Sequence, residues 1–144
     1  MLLDVYGTSG SLLHSYASGT NPPNLQLESI TAGPDGNLWF CAQDSNLIGK
    51  VTTSGSLTTF PLPSANAQPY GITAGADGNL WFTEARGNLP PAFVNKIGRI
   101  TPAGTITEFP IPTAASGAST IASGPNNTIW FTEGRTNKIG VLYL

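Results

Sequence analysis

Gly71–Glu84 reads Gly-Ile-Thr-Ala-Gly-Ala-Asp-Gly-Asn-Leu-Trp-Phe-Thr-Glu. The same text recurs, with substitutions, at Ser29–Ala42 and at Thr120–Glu133. Trp39, Trp81 and Trp130 mark the register, with spacings of 42 and then 49 residues. A period in the range of about 20–50 residues signals a solenoid or a propeller.

Each copy reads as two short strands around a tight turn. Asp35-Gly36 and Asp77-Gly78 suit a two-residue hairpin turn, which requires positive φ. Asn126-Asn127 takes that place in the third copy, and asparagine tolerates left-handed geometry. A small-residue strand (Ile72-Thr73-Ala74-Gly75) precedes the turn and a bulky one (Leu80-Trp81-Phe82-Thr83) follows it. Small then large suits radially packed sheets, because the strand nearest a ring axis has least room.

Working outward, the first repeat predicts strands at 29–34, 37–43, 46–52 and 56–62. The second predicts 71–75, 79–84, 95–101 and 105–111, and the third 119–124, 128–133 and 137–143. Pro61 and Pro63 at the end of a fourth strand place it at a sheet edge, because proline cannot donate to a ladder. Thr8-Ser9-Gly10-Ser11-Leu12 copies Thr53-Ser54-Gly55-Ser56-Leu57. Leu2–Tyr6 is thus a third-strand candidate and Ser11–Ala17 a fourth. An insert, Gly87 to Val94, explains the longer second spacing, and its Leu89–Phe93 stretch is expected beside the mouth of the ring.

The expected fold is all-β: a single partial β-propeller of four-stranded antiparallel blades, about three per chain. Residues 1–28 form the end of a blade, 29–64 and 71–113 are blades, and 118–144 is an incomplete blade. Three blades do not close comfortably, since closed propellers usually have about four to eight, and open arrays leave bare edges. Closure by homo-oligomerisation is therefore expected, with a six-bladed homodimer favoured. In it, Ser11–Ala17 of one chain would complete the Thr120–Leu144 sheet of the other.

The composition narrows the function. The six basic residues are spread along the chain and the net charge is −2. That argues against nucleic acid, whose phosphates need clustered Lys and Arg. The single cysteine, Cys41, permits no intrachain disulfide and reads as a small buried side chain. Met1-Leu2-Leu3 is too short for a signal-peptide apolar region, and no run approaches a membrane span. The expectation is a soluble, cytoplasmic protein with no membrane partner.

The recurring Gly-Ile-Thr-Ala-Gly-x-Asp-Gly-Asn-Leu-Trp-Phe-Thr-Glu, then Asn-Lys-Ile-Gly-Arg-Ile-Thr-Pro, then Ile-Thr-Glu-Phe-Pro-Ile-Pro, resembles the streptogramin B lyase (virginiamycin B lyase) family. The likeness is strong over about residues 29 to 144 and weak before them. It implies a seven-bladed propeller, longer than this chain forms alone. It also implies opening of an ester-closed antibiotic ring by elimination. A histidine removes the proton beside the carbonyl and magnesium stabilises the developing enolate. The family's catalytic blade carries Glu-x-His just before its first strand and another Glu at the end of the second.

In this chain the second repeat offers Gln68-Pro69-Tyr70 and then Glu84. Glu84 alone matches, at a family metal-ligand position. Tyr70 stands where the resemblance places the histidine, as do Glu28 and Ser119 in the other repeats. Tyrosine, with an ordinary pKa of about 10, is a poor base at neutral pH. The one histidine, His14, falls on an outermost strand and reads as a solvated surface residue. Glu84 and Glu133 end second strands beside Arg86 and Arg135. They read either as solvated surface pairs or as parts of a carboxylate ring at the mouth, incomplete because Ala42 holds that place in the first repeat.

No catalytic residue is assigned. The candidates for a ligand at the mouth are Glu28, Gln68, Tyr70, Glu84, Ser119, Glu133 and Phe93. The expected function is a non-catalytic propeller module of this lineage, self-assembling and binding a small molecule at the mouth without a cofactor. The alternatives are a lyase-type enzyme using magnesium, and a building block whose main property is self-assembly.

Overall fold

The computed structural model describes residues 2–17, 25–84 and 94–144. Among them are thirteen strands and no helix. An N-terminal hairpin pairs β1 (Leu2–Tyr6) with β2 (Leu12–Ala17). Sheet I holds β3 (Leu27–Ala32), β4 (Leu38–Ala42), β5 (Leu47–Val51) and β6 (Leu57–Pro61). Sheet II holds β7 (Pro69–Ala74), β8 (Leu80–Glu84), β9 (Lys96–Ile100) and β10 (Ile106–Pro110). Sheet III holds β11 (Ala118–Gly124), β12 (Thr128–Glu133) and β13 (Lys138–Tyr143). Strands within each sheet are neighbours in chain order and antiparallel. Since β7 lies against both β3 and β11, the first strands form the inner layer expected of propeller-like blades.

The turns differ from the expected two-residue loops. Gly33 N–H donates to the Asn37 carbonyl at 2.8 Å and Gly36 N–H to that of Gly33 at 3.2 Å. Three residues therefore span the turn, and only its last, Gly36, has positive φ (75°). This is a type I turn closed by a left-handed residue, which suits glycine because it has no Cβ. Asp35 plays another part: its Oδ1 accepts the Trp39 indole N–H at 2.9 Å. Asp77 and Trp81 repeat this at 3.2 Å, whereas in sheet III the Thr128 hydroxyl receives the indole of Trp130 at 2.8 Å.

Third and fourth strands join through the same kind of loop. Thr52–Ser56, Thr101–Thr105 and Gly7–Ser11 share one hydrogen-bond pattern. The N-terminal hairpin closes through the same loop, and its strands fall where the sequence expects them, near Leu2–Tyr6 and Ser11–Ala17. Pro61 and Pro110 end the outer edge strands β6 and β10.

The core lies between sheets. Strand alternation puts Trp39, Cys41 and Ile48 on one face of sheet I, against Ile72, Leu80, Phe82 and Ile100 of sheet II. The next interface packs Trp81 and Ile97 against Ile129 and Phe131 of sheet III. Fourth strands add a stacked ring: Phe60 on Trp39 at 5.5 Å and Phe109 on Trp81 at 5.6 Å between centroids. Lys50 and Arg99 lie over these pairs. On the opposite face, the Phe40, Phe82 and Phe131 rings occupy the space that a Cβ would need at Gly49, Gly98 and Gly140. This explains the glycine of each Asn-x-Ile-Gly motif. Among the described residues no helix is long and apolar enough to cross a membrane.

Candidate functional site

Every first strand carries a bulge at the same place. Leu27 pairs with Ala42 and Ile30 with Phe40, so Glu28 and Ser29 are spanned by one residue of β4. The bulge recurs at Tyr70-Gly71 and at Ser119-Thr120. It explains why the strands begin earlier than expected, at Leu27, Pro69 and Ala118: pairing resumes beyond it. An extra residue re-aims the side chains of its strand. Here the bulges bring Glu28, Tyr70 and Ser119 to one end of the inner layer.

Two of these positions share a groove. Glu28, Ser29, Tyr70, Gly71, Thr120 and Ile121 line an open depression of about 290 Å³. Both Glu28 and Tyr70 are half-buried there. Ser119 contributes its backbone instead. Its carbonyl accepts the Thr83 hydroxyl at 2.7 Å, while Thr83 Oγ1 accepts Gly71 N–H at 3.0 Å. Thr83 thus joins sheets II and III. No room remains at Gly71 for a Cβ, which would lie 2.7 Å from the Ser119 carbonyl oxygen.

The remaining candidates lie elsewhere. Gln68 sits before β7 with φ 49° and donates its N–H to Asn46 Oδ1 at 3.2 Å. Phe93, Arg86 and the Leu89–Phe93 stretch fall outside the described residues. Glu84 is not a solvated surface carboxylate: it is 0% exposed. It shares the Leu80 and Phe82 face of β8, which packs on sheet I, and neither carboxyl oxygen has a hydrogen-bond partner. Burial, followed by repulsion from Glu108, pushes its pKa up to about 8, although Lys96 pulls the other way. Glu133 is also buried, at 4%, and Thr136 Oγ1 donates to its Oε2 at 3.3 Å. Sheet I covers Glu84, which is what the surface-pair reading missed. Cys41 is fully buried, as expected, and its thiol is pushed up by desolvation.

Sequence reasoning also missed a polar cluster joining sheet II to the chain that follows sheet I. Lys96 Nζ donates to Glu108 Oε2 at 2.6 Å and to Ser64 Oγ at 2.7 Å. Ser64 donates to Glu108 through both its N–H (2.9 Å) and its hydroxyl (2.6 Å). Burial raises the Glu108 pKa, but the bonds from Lys96 and Ser64 outweigh it and hold the acid below its ordinary value. A second missed device is the asparagine of Asn-x-Ile-Gly. Asn95 Nδ2 donates to the carbonyls of Ile111 (3.0 Å) and Thr113 (2.8 Å), and its Oδ1 accepts Ser116 N–H (3.0 Å) and Oγ (2.6 Å). Asn46 ties Ser64 and Gln68 in the same way. The recurrence of asparagine immediately before each third strand was the available signal.

The Virginiamycin B lyase family model matches residues 10–144. The chain belongs to the virginiamycin B lyase family. A virginiamycin B lyase of Bordetella bronchiseptica is 40% identical over 47 residues, 33% of this chain and 16% of that protein. The crystal structure of Staphylococcus aureus virginiamycin B lyase superposes with a TM-score of 0.81 and 34% identity, over 99% of this chain and 48% of the other. A catalytically inactive histidine-to-alanine variant of virginiamycin B lyase from Staphylococcus aureus, solved with Quinupristin, matches with a TM-score of 0.55 and 32% identity, covering 98% and 59%. The chain therefore spans about half the length of these solved lyases.

Virginiamycin B lyase membership implies magnesium, and the described residues of this chain do not fit that ion. Magnesium needs several oxygen ligands in near-octahedral array. Glu84, at the family-matched position, is closed off from solvent and faces a lysine-bearing cluster. Among the described residues no group of three or more His, Cys, Asp or Glu side chains can hold a metal.

Proposed function

We propose that this chain is a non-catalytic, ligand-binding module of the virginiamycin B lyase lineage, with its ligand in the groove between Glu28 and Tyr70. One observation carries the reading. The three inner-strand bulges, where the resemblance places the catalytic histidine, hold Glu28, Tyr70 and Ser119. Elimination beside an ester carbonyl requires a base within hydrogen-bond reach of the proton it removes. The bulges offer no imidazole for that task. They offer a shallow site with an aromatic face, a carboxylate and exposed inner-strand polar groups, which suits recognition of a cyclic peptide.

Quinupristin is the natural probe. Calorimetry should detect binding that Tyr70→Ala weakens about tenfold, as expected when one aromatic contact of about 1.4 kcal/mol is lost. Chromatography should find no ring-opened product, with or without magnesium. A product of unchanged mass and shifted retention, abolished by Glu84→Ala, would overturn the proposal. It would favour the second reading, a lyase-type enzyme, which family membership supports.

A further inference from the structure

Residues 62–68 join β6 to β7 and lead directly to Tyr70. Two of them, Asn66 (φ 55°) and Gln68 (φ 49°), are left-handed without being glycine. Such a backbone persists where its surroundings over-determine it. Sheet I supplies one set of ties. Leu62 N–H donates to the Asn46 carbonyl at 3.0 Å, Asn46 Nδ2 to the Ser64 carbonyl at 2.9 Å, and Gln68 N–H to Asn46 Oδ1 at 3.2 Å. Sheet II supplies the other set, the cluster of Lys96 and Glu108 around Ser64.

The first set is general. Asn95 repeats it on the segment that leads to β11, where Thr113 takes the place of Ser64. The second set is not. Sheet I has Leu47 and Thr59 at the register positions of Lys96 and Glu108. The cluster is thus an addition to the shared scaffold, placed on the segment that leads to Tyr70. Register also brings it close to the groove. Pro69, Glu84, Lys96 and Pro110 form one row across sheet II, so the cluster and the start of β7 share one end of the sheet.

We infer that Ser64, Lys96 and Glu108 are positioning residues for Tyr70. The Glu108 carboxylate accepts from Ser64 through both N–H and hydroxyl, and Lys96 holds the two together. Charge-assisted bonds of this kind fix direction as well as distance. Fixing Ser64 fixes the left-handed turn at Asn66 and Gln68, and that turn sets where the Tyr70 ring stands in the groove. The inference deepens the reading of the groove as a ligand site and rests on it.

Fluorine NMR of the chain labelled with fluorotyrosine reads Tyr70 without any ligand, and Tyr70→Phe assigns its line. Ser64→Ala and Glu108→Gln should shift and broaden that line. Ser64→Thr keeps the hydroxyl, in the residue that Thr113 already supplies to the next segment, and should leave the line in place. Lys50→Met is the control for a merely structural role. Lys50 ties the same two sheets at their other end, where it donates to the Pro102 carbonyl at 3.2 Å. Its loss should lower the urea midpoint and leave the Tyr70 line unmoved. Calorimetry with Quinupristin should then show binding about threefold weaker in Ser64→Ala and Glu108→Gln, less than the loss of the ring itself, and restored in Ser64→Thr. An unmoved Tyr70 line in Ser64→Ala and Glu108→Gln, an equal movement in Lys50→Met, or a moved line with unchanged affinity would each overturn the inference. A wild-type chain that does not bind Quinupristin, with the Tyr70 line moving as expected in the variants, would overturn the reading of the groove and uphold the cluster as what positions Tyr70.

Discussion

Sheets II and III carry nearly the same sequence and live in different surroundings. Trp81 is 3% exposed and Trp130 is 43% exposed, although both donate their indole N–H within the first hairpin of their sheet. Trp81 is covered by Phe109 from its fourth strand, by the guanidinium of Arg99 and by sheet III. At the register position of Arg99, sheet III has Val141. The motif builds the hairpin, and neighbouring strands decide how much the tryptophan contributes to stability.

The largest test of this difference is truncation of the two tryptophans. Trp81→Ala should cost about 3–5 kcal/mol in urea denaturation, as expected for a large buried ring. Trp130→Ala should cost about 1 kcal/mol, because nearly half of its area already meets water. Equal costs would mean that the hairpin, rather than the neighbouring sheet, carries the energy.

The acid that ends β8 gives the next test. Glu84 has a pKa raised to about 8 against an ordinary 4.5, so between those values the folded chain binds a proton that the unfolded chain has lost. Stability should fall as pH rises through this window, at up to about 1.4 kcal/mol per unit, and Glu84→Gln should flatten the slope. A pH profile of the urea midpoint for the two chains checks this.

The smallest effect separates the threonines. Thr83→Val removes a bond that ties sheet II to sheet III and should cost about 1 kcal/mol. Thr132→Val should cost only a few tenths, since its bonds stay within one sheet near solvent. Thermal midpoints of the two variants and the wild type would settle the order.

The strands were legible because their signals are local. Asp-Gly followed by Leu-Trp-Phe fixes a turn and a buried strand, and the copy at Thr8–Leu12 placed the hairpin correctly. The turn type was not legible, because Asp-Gly serves a three-residue loop as well as a two-residue one, and only the Gly33–Asn37 bond tells them apart. At the site, Glu28 and Tyr70 could be aligned by repeat position. Ser119 acts through its carbonyl, which no side chain reports. The burial of Glu84 depends on sheet I, and the Ser64–Glu108 bonds span 44 residues. Such distant pairings leave no local pattern.

The phenylalanine resting on a glycine in each sheet bears on how these proteins vary. Phe40 and Gly49 are nine positions apart, as are Phe131 and Gly140, whereas Phe82 and Gly98 are sixteen apart. The ring meets the backbone across neighbouring strands in all three sheets, so the contact is indifferent to the length of chain between them. Ring and glycine form a clasp that must be inherited together, and the segment it encloses is free to lengthen. Length can change between the two partners while the contact itself stays the same.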